Sequence, residues 1–176
     1  MKLFFIADIH GHAGRLKMAL DACEREQADR LVILGDILYS YTSNADEDAA
    51  AALFNHYTGA VSAVSGNCDH AEELSRLWFP VADNYLELEA DGRQFFLTHG
   101  HRYGPGRIPP LAPGTILCFG HHHVPYAERS GNIILFSPGS TTLPRQGSAP
   151  GYGVYADGRL RCHNLLTHKV VAEITC

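Results

Sequence analysis

The first third of the chain alternates short, continuous apolar runs with longer segments whose apolar residues recur at helical spacing. Short apolar runs predict buried strands, and apolar residues three or four positions apart among charged ones predict helices. The predicted strands are residues 2–7, 30–35 and 60–66, and the predicted helices are residues 13–27 and 46–57. This order of elements predicts a parallel sheet with right-handed crossovers.

The rest of the chain shows segments in which apolar and polar positions alternate on either side of a turn dipeptide, and each such segment predicts a β-hairpin. The dipeptides are Asp91-Gly92, Ser130-Gly131 and Asp157-Gly158. Residues 103–114 are rich in glycine and proline and predict a surface loop. Because no linker-like composition separates the two parts, we expect one α/β domain over residues 1–176, built as two packed β-sheets (a β-sandwich) flanked by helices.

Composition narrows the class of protein. The chain has 176 residues, of which 45% are hydrophobic and 19% charged, which is typical of a globular domain. No apolar run approaches the ~20 residues that cross a bilayer, and Asp8 and His10 interrupt the N-terminal run before it reaches the length of a signal peptide. The five cysteines are an odd number without a C-x-x-C pair, which argues against a disulfide framework and against a thiolate zinc site. We therefore expect a reducing, cytoplasmic setting.

The net charge of the chain disfavours some classes of binding partner. The formal net charge is −5 and the lysines and arginines are scattered, so the sequence disfavours a broad basic face for extended nucleic-acid binding. An anionic substrate would need a local source of positive charge instead. The eleven histidines are the feature of the composition that stands out.

Residues of the metal-binding type follow successive predicted strands. They are Asp8, His10, Asp36, Asn67, His99, His121 and His123. Each one alone is more often a turn, cap or core residue. Because ligands in α/β sheets bind beyond the carboxyl ends of the strands, their recurrence at consecutive strand ends predicts one common site.

Residues 121 to 123 are three histidines in succession. In extended backbone, residues two apart point to the same side. This parity predicts that His121 and His123 face one way and His122 the other. By the same rule Asp8 and His10 can reach one ion together.

The order of these motifs resembles the calcineurin-like metallophosphoesterases, and within them the small bacterial and archaeal phosphodiesterases of the YfcE type. The matching motifs are D-x-H at residue 8, G-D at 35, G-N-C-D at 66, T-H-G-H at 98, G-H-x-H at 120 and S-P-G-S at 137. The resemblance implies the metallophosphoesterase fold and hydrolysis of a small phosphorylated substrate. A phosphodiester is the first choice, and a phosphomonoester cleaved by the same mechanism is the alternative.

The same resemblance implies two divalent ions and attack by a hydroxide that bridges them. The first ion would be held by Asp8, His10, Asp36 and His123. The second would be held by Asp36, Asn67, His99 and His121, with Asp36 bridging. Two such ions and two carboxylates leave about two positive charges for a phosphate. Four imidazoles suit Mn²⁺, Fe²⁺, Co²⁺, Ni²⁺ or Zn²⁺ better than Mg²⁺ or Ca²⁺, and the resemblance favours Mn²⁺. The candidate catalytic residues are Asp36, Asn67, Cys68 and His99.

Cys68 departs from the family pattern, in which many members have a histidine that protonates the leaving group. A thiol with a reference pKa of ~8.5 is protonated at neutral pH but donates hydrogen bonds poorly. The leaving group would then depart without a proton, or would receive one from water, His70 or His101. In either case we expect the enzyme to favour substrates with good leaving groups. Asp69 has two interpretations: a catalytic role, or the N-cap of the next helix with Glu72 completing a capping box.

Two expectations concern the surroundings of the site. The loop of residues 37–44 and the following helix would control access, and Tyr39 and Tyr41 are able to stack on a base or sugar. From a different functional class, a retromer-type scaffold shares this fold but has lost ligand residues, whereas all seven positions are filled here. The sequence does not determine the oligomeric state, and a homo-oligomer is compatible with it.

Overall fold

The apolar run at the start of the chain forms a buried strand at the centre of the larger of two sheets. A computed structural model describes residues 1–40 and 42–176, so the interpretation of Tyr41 lies outside the described residues. In chain order the elements are β1 (Leu3–Ile6), α1 (Ala13–Arg25), β2 (Arg30–Leu34), α2 (Glu47–His56), β3 (Ala60–Val64), α3 (Ala71–Leu74), β4 (Val81–Ala82), β5 (Tyr85–Ala90), β6 (Arg93–Thr98), β7 (Ile116–Cys118), β8 (Pro125–Ser130), β9 (Ile133–Pro138), β10 (Gly151–Ala156), β11 (Arg159–Asn164) and β12 (Val170–Thr175).

The strands form a seven-stranded sheet in the order β12-β11-β10-β1-β2-β3-β4 and a five-stranded sheet in the order β5-β6-β7-β9-β8. Strands β1 to β4 are parallel, as the alternation of strands and helices predicts. The three predicted hairpins form as β5–β6, β8–β9 and β10–β11. In the smaller sheet β6, β7 and β9 are parallel to one another, so their carboxyl ends also share one edge.

The two faces of β1 are both buried, and this explains its continuous apolar sequence. On one face Phe5 contacts the smaller sheet, with its ring centroid 6.4 Å from that of Phe95 and 5.3 Å from that of Phe136. On the other face Phe4 stacks on Tyr152 at 4.7 Å, in the apolar cluster that α1 and α2 cover. The predicted α/β class, with packed sheets flanked by helices, is confirmed.

The pattern of the sequence did not predict two strands: the short strand β4, and β12 at the edge of the larger sheet. Strand β12 pairs antiparallel with β11 after a turn in which His168 has a φ of +58°. Within the described part of the chain, no helix is long and apolar enough to cross a bilayer. That residues 1–176 form a single domain stays a prediction.

Candidate metal centre

The loops that follow β1 and β2 are joined by backbone hydrogen bonds. The Asp8 amide donates to the Gly35 carbonyl oxygen at 3.1 Å. The amides of Ile9 and His10 both donate to the carbonyl oxygen of Asp36, each at 2.9 Å. These bonds continue the parallel pairing beyond the strands and hold three of the predicted ligands side by side.

Five of the seven predicted ligands have a left-handed backbone conformation. The φ angles are +53° for Asp8, +48° for His10, +51° for Asp36, +63° for His121 and +61° for His123. The assumption of extended backbone behind the parity argument is therefore wrong for these residues, although His122 is exposed while His123 is buried. Left-handed non-glycine residues cost of order 1–3 kcal/mol each, and they concentrate at functional sites.

Four buried side chains converge on one point beyond the strand ends. The donor atoms of Asp8, His10, Asp36 and His123 all lie within 4.8 Å of one another. His10 Nε2 is 3.5 Å from Asp36 Oδ2, and His123 Nε2 is 3.4 Å from Asp8 Oδ1. This group is the set of residues that the resemblance assigns to the first ion.

The residues assigned to the second ion adjoin this group. His99 Nε2 lies 3.4 Å from Asp36 Oδ2 and 3.1 Å from Asn67 Oδ1. The half-buried His121 has its ring centroid 5.1 Å from that of His99, and it stands outside the group of four donors. Asp36 Oδ2 thus lies between His10 and His99, at a similar distance from each.

Three of the histidines are oriented by backbone carbonyl groups. The Nδ1 atoms of His10, His99 and His123 lie 3.0, 2.8 and 2.6 Å from the carbonyl oxygens of Tyr39, Leu34 and Leu143, respectively. A carbonyl oxygen only accepts hydrogen bonds, so each Nδ1 carries the proton. In the neutral ring the lone pair is then on Nε2, which faces the cluster, as metal ligation requires.

The electrostatics of the cluster favour a bound cation. Burial raises the pKa of Asp8 to about 7, and its Oδ2 has no hydrogen-bond partner among the described residues. Burial acts to raise the pKa of Asp36 as well, but the hydrogen bond and charge of His99 hold it below its usual value. Because a buried carboxylate is stable only when it is compensated, and because imidazole and carboxylate are ligands of first-row divalent ions, the donor set fits such an ion.

Cys68 contributes its backbone to the site and has an unreactive thiol. Its amide donates to Asp36 Oδ1 at 2.9 Å. Burial, with the nearby Asp36 carboxylate, raises the pKa of the thiol to about 12. The Asn67 amide nitrogen lies 3.3 Å from the sulfur. In the metal-free protein the thiol is therefore protonated at neutral pH.

Asp69 does not cap α3, so that interpretation of the sequence is wrong. The N-cap is His70, whose side chain makes no capping hydrogen bond, and Glu72 therefore completes no capping box. The Asp69 carboxylate instead accepts from the amide of Ile37 at 2.7 Å and from that of Gly66 at 2.8 Å. It fastens the loop after β2 to the loop after β3, and this positions the residues between them.

The two histidines considered as alternative proton donors differ in position. The ring of His101 is 5.4 Å from that of His99 and 6.2 Å from that of His121, at the rim of the candidate metal centre. His70 is exposed, and its ring lies edge-on to Tyr39 at 5.5 Å.

The loop after β9 supports the centre through hydrogen bonds that the sequence does not predict. The hydroxyl groups of Ser140 and Thr142 donate to the carbonyl oxygen of Asp8 at 3.0 and 2.9 Å. The Arg145 amide donates to the carbonyl oxygen of His123 at 3.1 Å. Burial is the main cause that raises the pKa of Asp8 and lowers the pKa of His123, and the charge of Arg145 acts to lower both. The one sequence signal for this loop was the S-P-G-S motif, which says nothing of Arg145.

Comparison with known proteins gives consistent results. A family model described as the calcineurin-like phosphoesterase superfamily domain matches residues 1–156. Phosphodiesterase YfcE of Escherichia coli strain K12 is 34% identical over 179 aligned residues, which cover 99% of this chain and 97% of the relative.

Solved structures extend this likeness. The E. coli phosphoesterase Yfce matches with a TM-score of 0.95 and 33% identity over 99% of both chains. Vps29 of Entamoeba histolytica, solved with Zn²⁺, matches with a TM-score of 0.64 and 15% identity over 99% of both chains. At that lower identity the likeness concerns the fold alone.

Proposed function

Since this chain belongs to the calcineurin-like phosphoesterase superfamily, we propose that it is a metal-dependent hydrolase of phosphoesters, in the first place of phosphodiesters. The observation that carries the proposal is the convergence of Asp8, His10, Asp36 and His123 within 4.8 Å. The unpartnered Oδ2 of Asp8, among the described residues, supports it.

We assign the first ion to these four residues and the second to Asp36, Asn67, His99 and His121. When bound, the ions would supply positive charge for the phosphate and would acidify a water molecule. Of the metals that suit imidazole and carboxylate donors we propose Mn²⁺, with Fe²⁺, Co²⁺, Ni²⁺ and Zn²⁺ as the alternatives to be compared. The five cysteines are free, which supports our proposal of a reducing, cytoplasmic setting.

The chain's own residues hold this arrangement and orient the substrate. Asp36 is fixed through its Oδ1 by the amide of Cys68, so its Oδ2 stays directed toward His10 and His99. Arg145 is exposed beside Asp8 and His123, and we assign its guanidinium to the substrate phosphate, which it can bind through two parallel hydrogen bonds.

The weakness of Cys68 as an acid sets the preferred leaving group. A thiol is a poor hydrogen-bond donor and gives little help to a departing alkoxide. Aryl and other activated esters need no proton to depart, so we propose that they are cleaved faster than alkyl esters. His101 is the nearest candidate for a substitute donor.

The test uses bis(p-nitrophenyl) phosphate with protein stripped of metal by a chelator and then supplied with each candidate ion. We expect no hydrolysis without metal, recovery on reloading, and lower kcat/KM for p-nitrophenyl phosphate than for the diester. Asp36→Asn, with metal content measured, is the matched inactive variant. If no ester is hydrolysed at full occupancy with any of these metals, the proposal is wrong and a binding protein on this fold is the better description.

A further inference from the structure

A cavity of about 300 Å³ opens beside the candidate metal centre, between the loop after β6 and the three consecutive histidines. Three glycines form part of its wall, and the side chains in its lining are His101, Arg102, Arg107, His121 and His122. His121 thus belongs both to this cavity and to the edge of the candidate metal centre.

The lining is basic in a protein of net charge −5. Its ionisable side chains are two guanidinium groups and three imidazoles, and no carboxylate of the described residues belongs to it. The carboxylates that act on His101, namely Asp36 and Asp83, lie outside the lining. The cavity therefore places two guanidinium charges, with imidazole groups beside them, at one side of the site.

The two arginines are exposed, and local contacts orient them. Gly104 and Arg107 exchange backbone hydrogen bonds of 3.2 and 3.0 Å, and the Arg107 guanidinium carbon lies 5.8 Å from the centroid of the Tyr103 ring. Arg102 Nε is 3.3 Å from His101 Nε2. An arginine that is already positioned loses less conformational entropy when it binds an anion.

Two glycines allow the segments that form the wall of the cavity to pack closely. A Cβ at Gly100, where φ is +119°, would lie 3.1 Å from the Cβ of His121. A Cβ at Gly104 would lie 3.0 Å from the carbonyl oxygen of Gly100. A side chain at either position would therefore push apart the segments that carry the arginines and His121.

We propose that this cavity binds a second phosphate group of the substrate, beyond the phosphate that is cleaved. The inference rests on the proposed function. Guanidinium groups match the oxygens of a phosphate in two-point contacts, and imidazole N–H groups can donate to the same dianion. The substrate class is a small phosphodiester that carries an additional phosphate close to the scissile one, because His121 borders both the cavity and the candidate metal centre.

Binding to the metal-free protein tests the cavity without hydrolysis. Calorimetric titrations compare adenosine 5′-monophosphate with adenosine in the presence of a chelator, because without the ions the cavity still offers positive charge to a phosphate. We expect the monophosphate to bind about tenfold more tightly, a difference typical of one additional charged contact. Arg102→Gln combined with Arg107→Gln should abolish that difference. Arg159→Gln, at the start of β11 and paired with Glu173, is the matched control and should keep it.

Hydrolysis gives the second readout. The substrates are thymidine 5′-(p-nitrophenyl phosphate) and its 3′-phosphorylated analogue, which differ only in the second phosphate. We expect kcat/KM of the wild type to favour the analogue about tenfold, and that ratio to fall to about one in the double variant but not in Arg159→Gln. Unchanged circular dichroism spectra and melting temperatures show that the variants are folded.

The outcomes separate the two proposals. Equal affinities and equal kcat/KM values for each pair in the wild type, or a preference that survives in the double variant, would overturn the assignment of the cavity. If neither ester is hydrolysed, the proposed function fails, and the calorimetric comparison still decides whether the cavity binds a phosphate.

Discussion

His123 Nδ1 lies 2.6 Å from the carbonyl oxygen of Leu143, and this hydrogen bond turns the opposite ring nitrogen toward Asp8. The tautomer and the direction of the ring are thereby set by the fold before any metal arrives. His122, the neighbour in sequence, is exposed and packs its ring beside Phe119. The structure thus distinguishes two adjacent histidines by their partners.

The metal content of variants should differ between His122 and His123. We expect His123→Ala to lose about one equivalent of Mn²⁺ per chain, because it removes a ligand with a fixed orientation. His121→Ala should weaken the other ion. His122→Ala should leave the metal content nearly unchanged, as measured by inductively coupled plasma mass spectrometry after dialysis. Loss of metal from His122→Ala alone would contradict the assignment.

A stronger acid at residue 68 should change how kcat/KM depends on the pKa of the leaving group. We expect Cys68→His to raise kcat/KM for alkyl and weakly activated aryl diesters by about tenfold or more, since general acids contribute roughly 10²–10⁴-fold. The measurement is the slope of log(kcat/KM) against leaving-group pKa, which should become shallower. Cys68→Ser is the control, because it keeps the size without the acidity. An unchanged slope would show that no proton is needed at this position.

The thiol of Cys68 should also react slowly with alkylating agents. Burial and the Asp36 carboxylate raise its pKa to about 12, so the reactive thiolate is scarce at neutral pH. In metal-free protein we expect the rate of iodoacetamide labelling to climb with pH beyond the value of ~8.5 at which a free thiol is half ionised. Peptide mass spectrometry measures this rate, and a synthetic peptide around Cys68 is the control. A plateau at the same pH as the peptide would refute the raised pKa.

Gly66 should not tolerate a side chain. A Cβ at residue 66 would overlap the Asp36 carboxylate, so we expect Gly66→Ala to reduce metal binding and to lower the free energy of unfolding by about 1–3 kcal/mol. Chemical denaturation of metal-free protein measures the second effect. Gly14→Ala is the control in α1, where a Cβ meets no atom within 4 Å. It should raise stability by about 0.5–1 kcal/mol.

Arg145 should act on substrate binding. We expect Arg145→Gln to raise KM for bis(p-nitrophenyl) phosphate about three- to tenfold with a smaller change in kcat, because an exposed charge contributes mainly to attraction of the anion. Arg159→Gln again provides the charge-matched control. If KM is the same in both variants, Arg145 does not contact the phosphate.

The sequence predicts those parts of the fold that depend on local periodicity. Strands β1 to β3 and the three hairpins have clear apolar patterns or turn dipeptides, and they form as expected. Strand β12 was missed because its turn has His168 in a left-handed conformation, a role for which histidine carries no recognisable signal. The strand itself is half exposed, so its pattern is weak.

Long-range contacts limit how much of the candidate site can be predicted from the sequence. Asp69 sits where a capping residue would, but its partner Ile37 is 32 residues away, and only the folded chain brings them together. Arg145 likewise approaches Asp8 through the packing of β9 and its loop. The convergence of Asp8, His10, Asp36 and His123 followed from strand order, because parallel strands end at one edge.

The left-handed backbone at five of the predicted ligands has a consequence for how these positions can vary. Each of these residues is a proposed metal ligand and also forms the corner of its loop, so a replacement must satisfy both requirements. Asparagine and glycine adopt this conformation with less strain than alanine does. A series of variants at His10 or His123 should therefore rank glycine and asparagine above alanine in folding yield, the reverse of the order expected inside a helix.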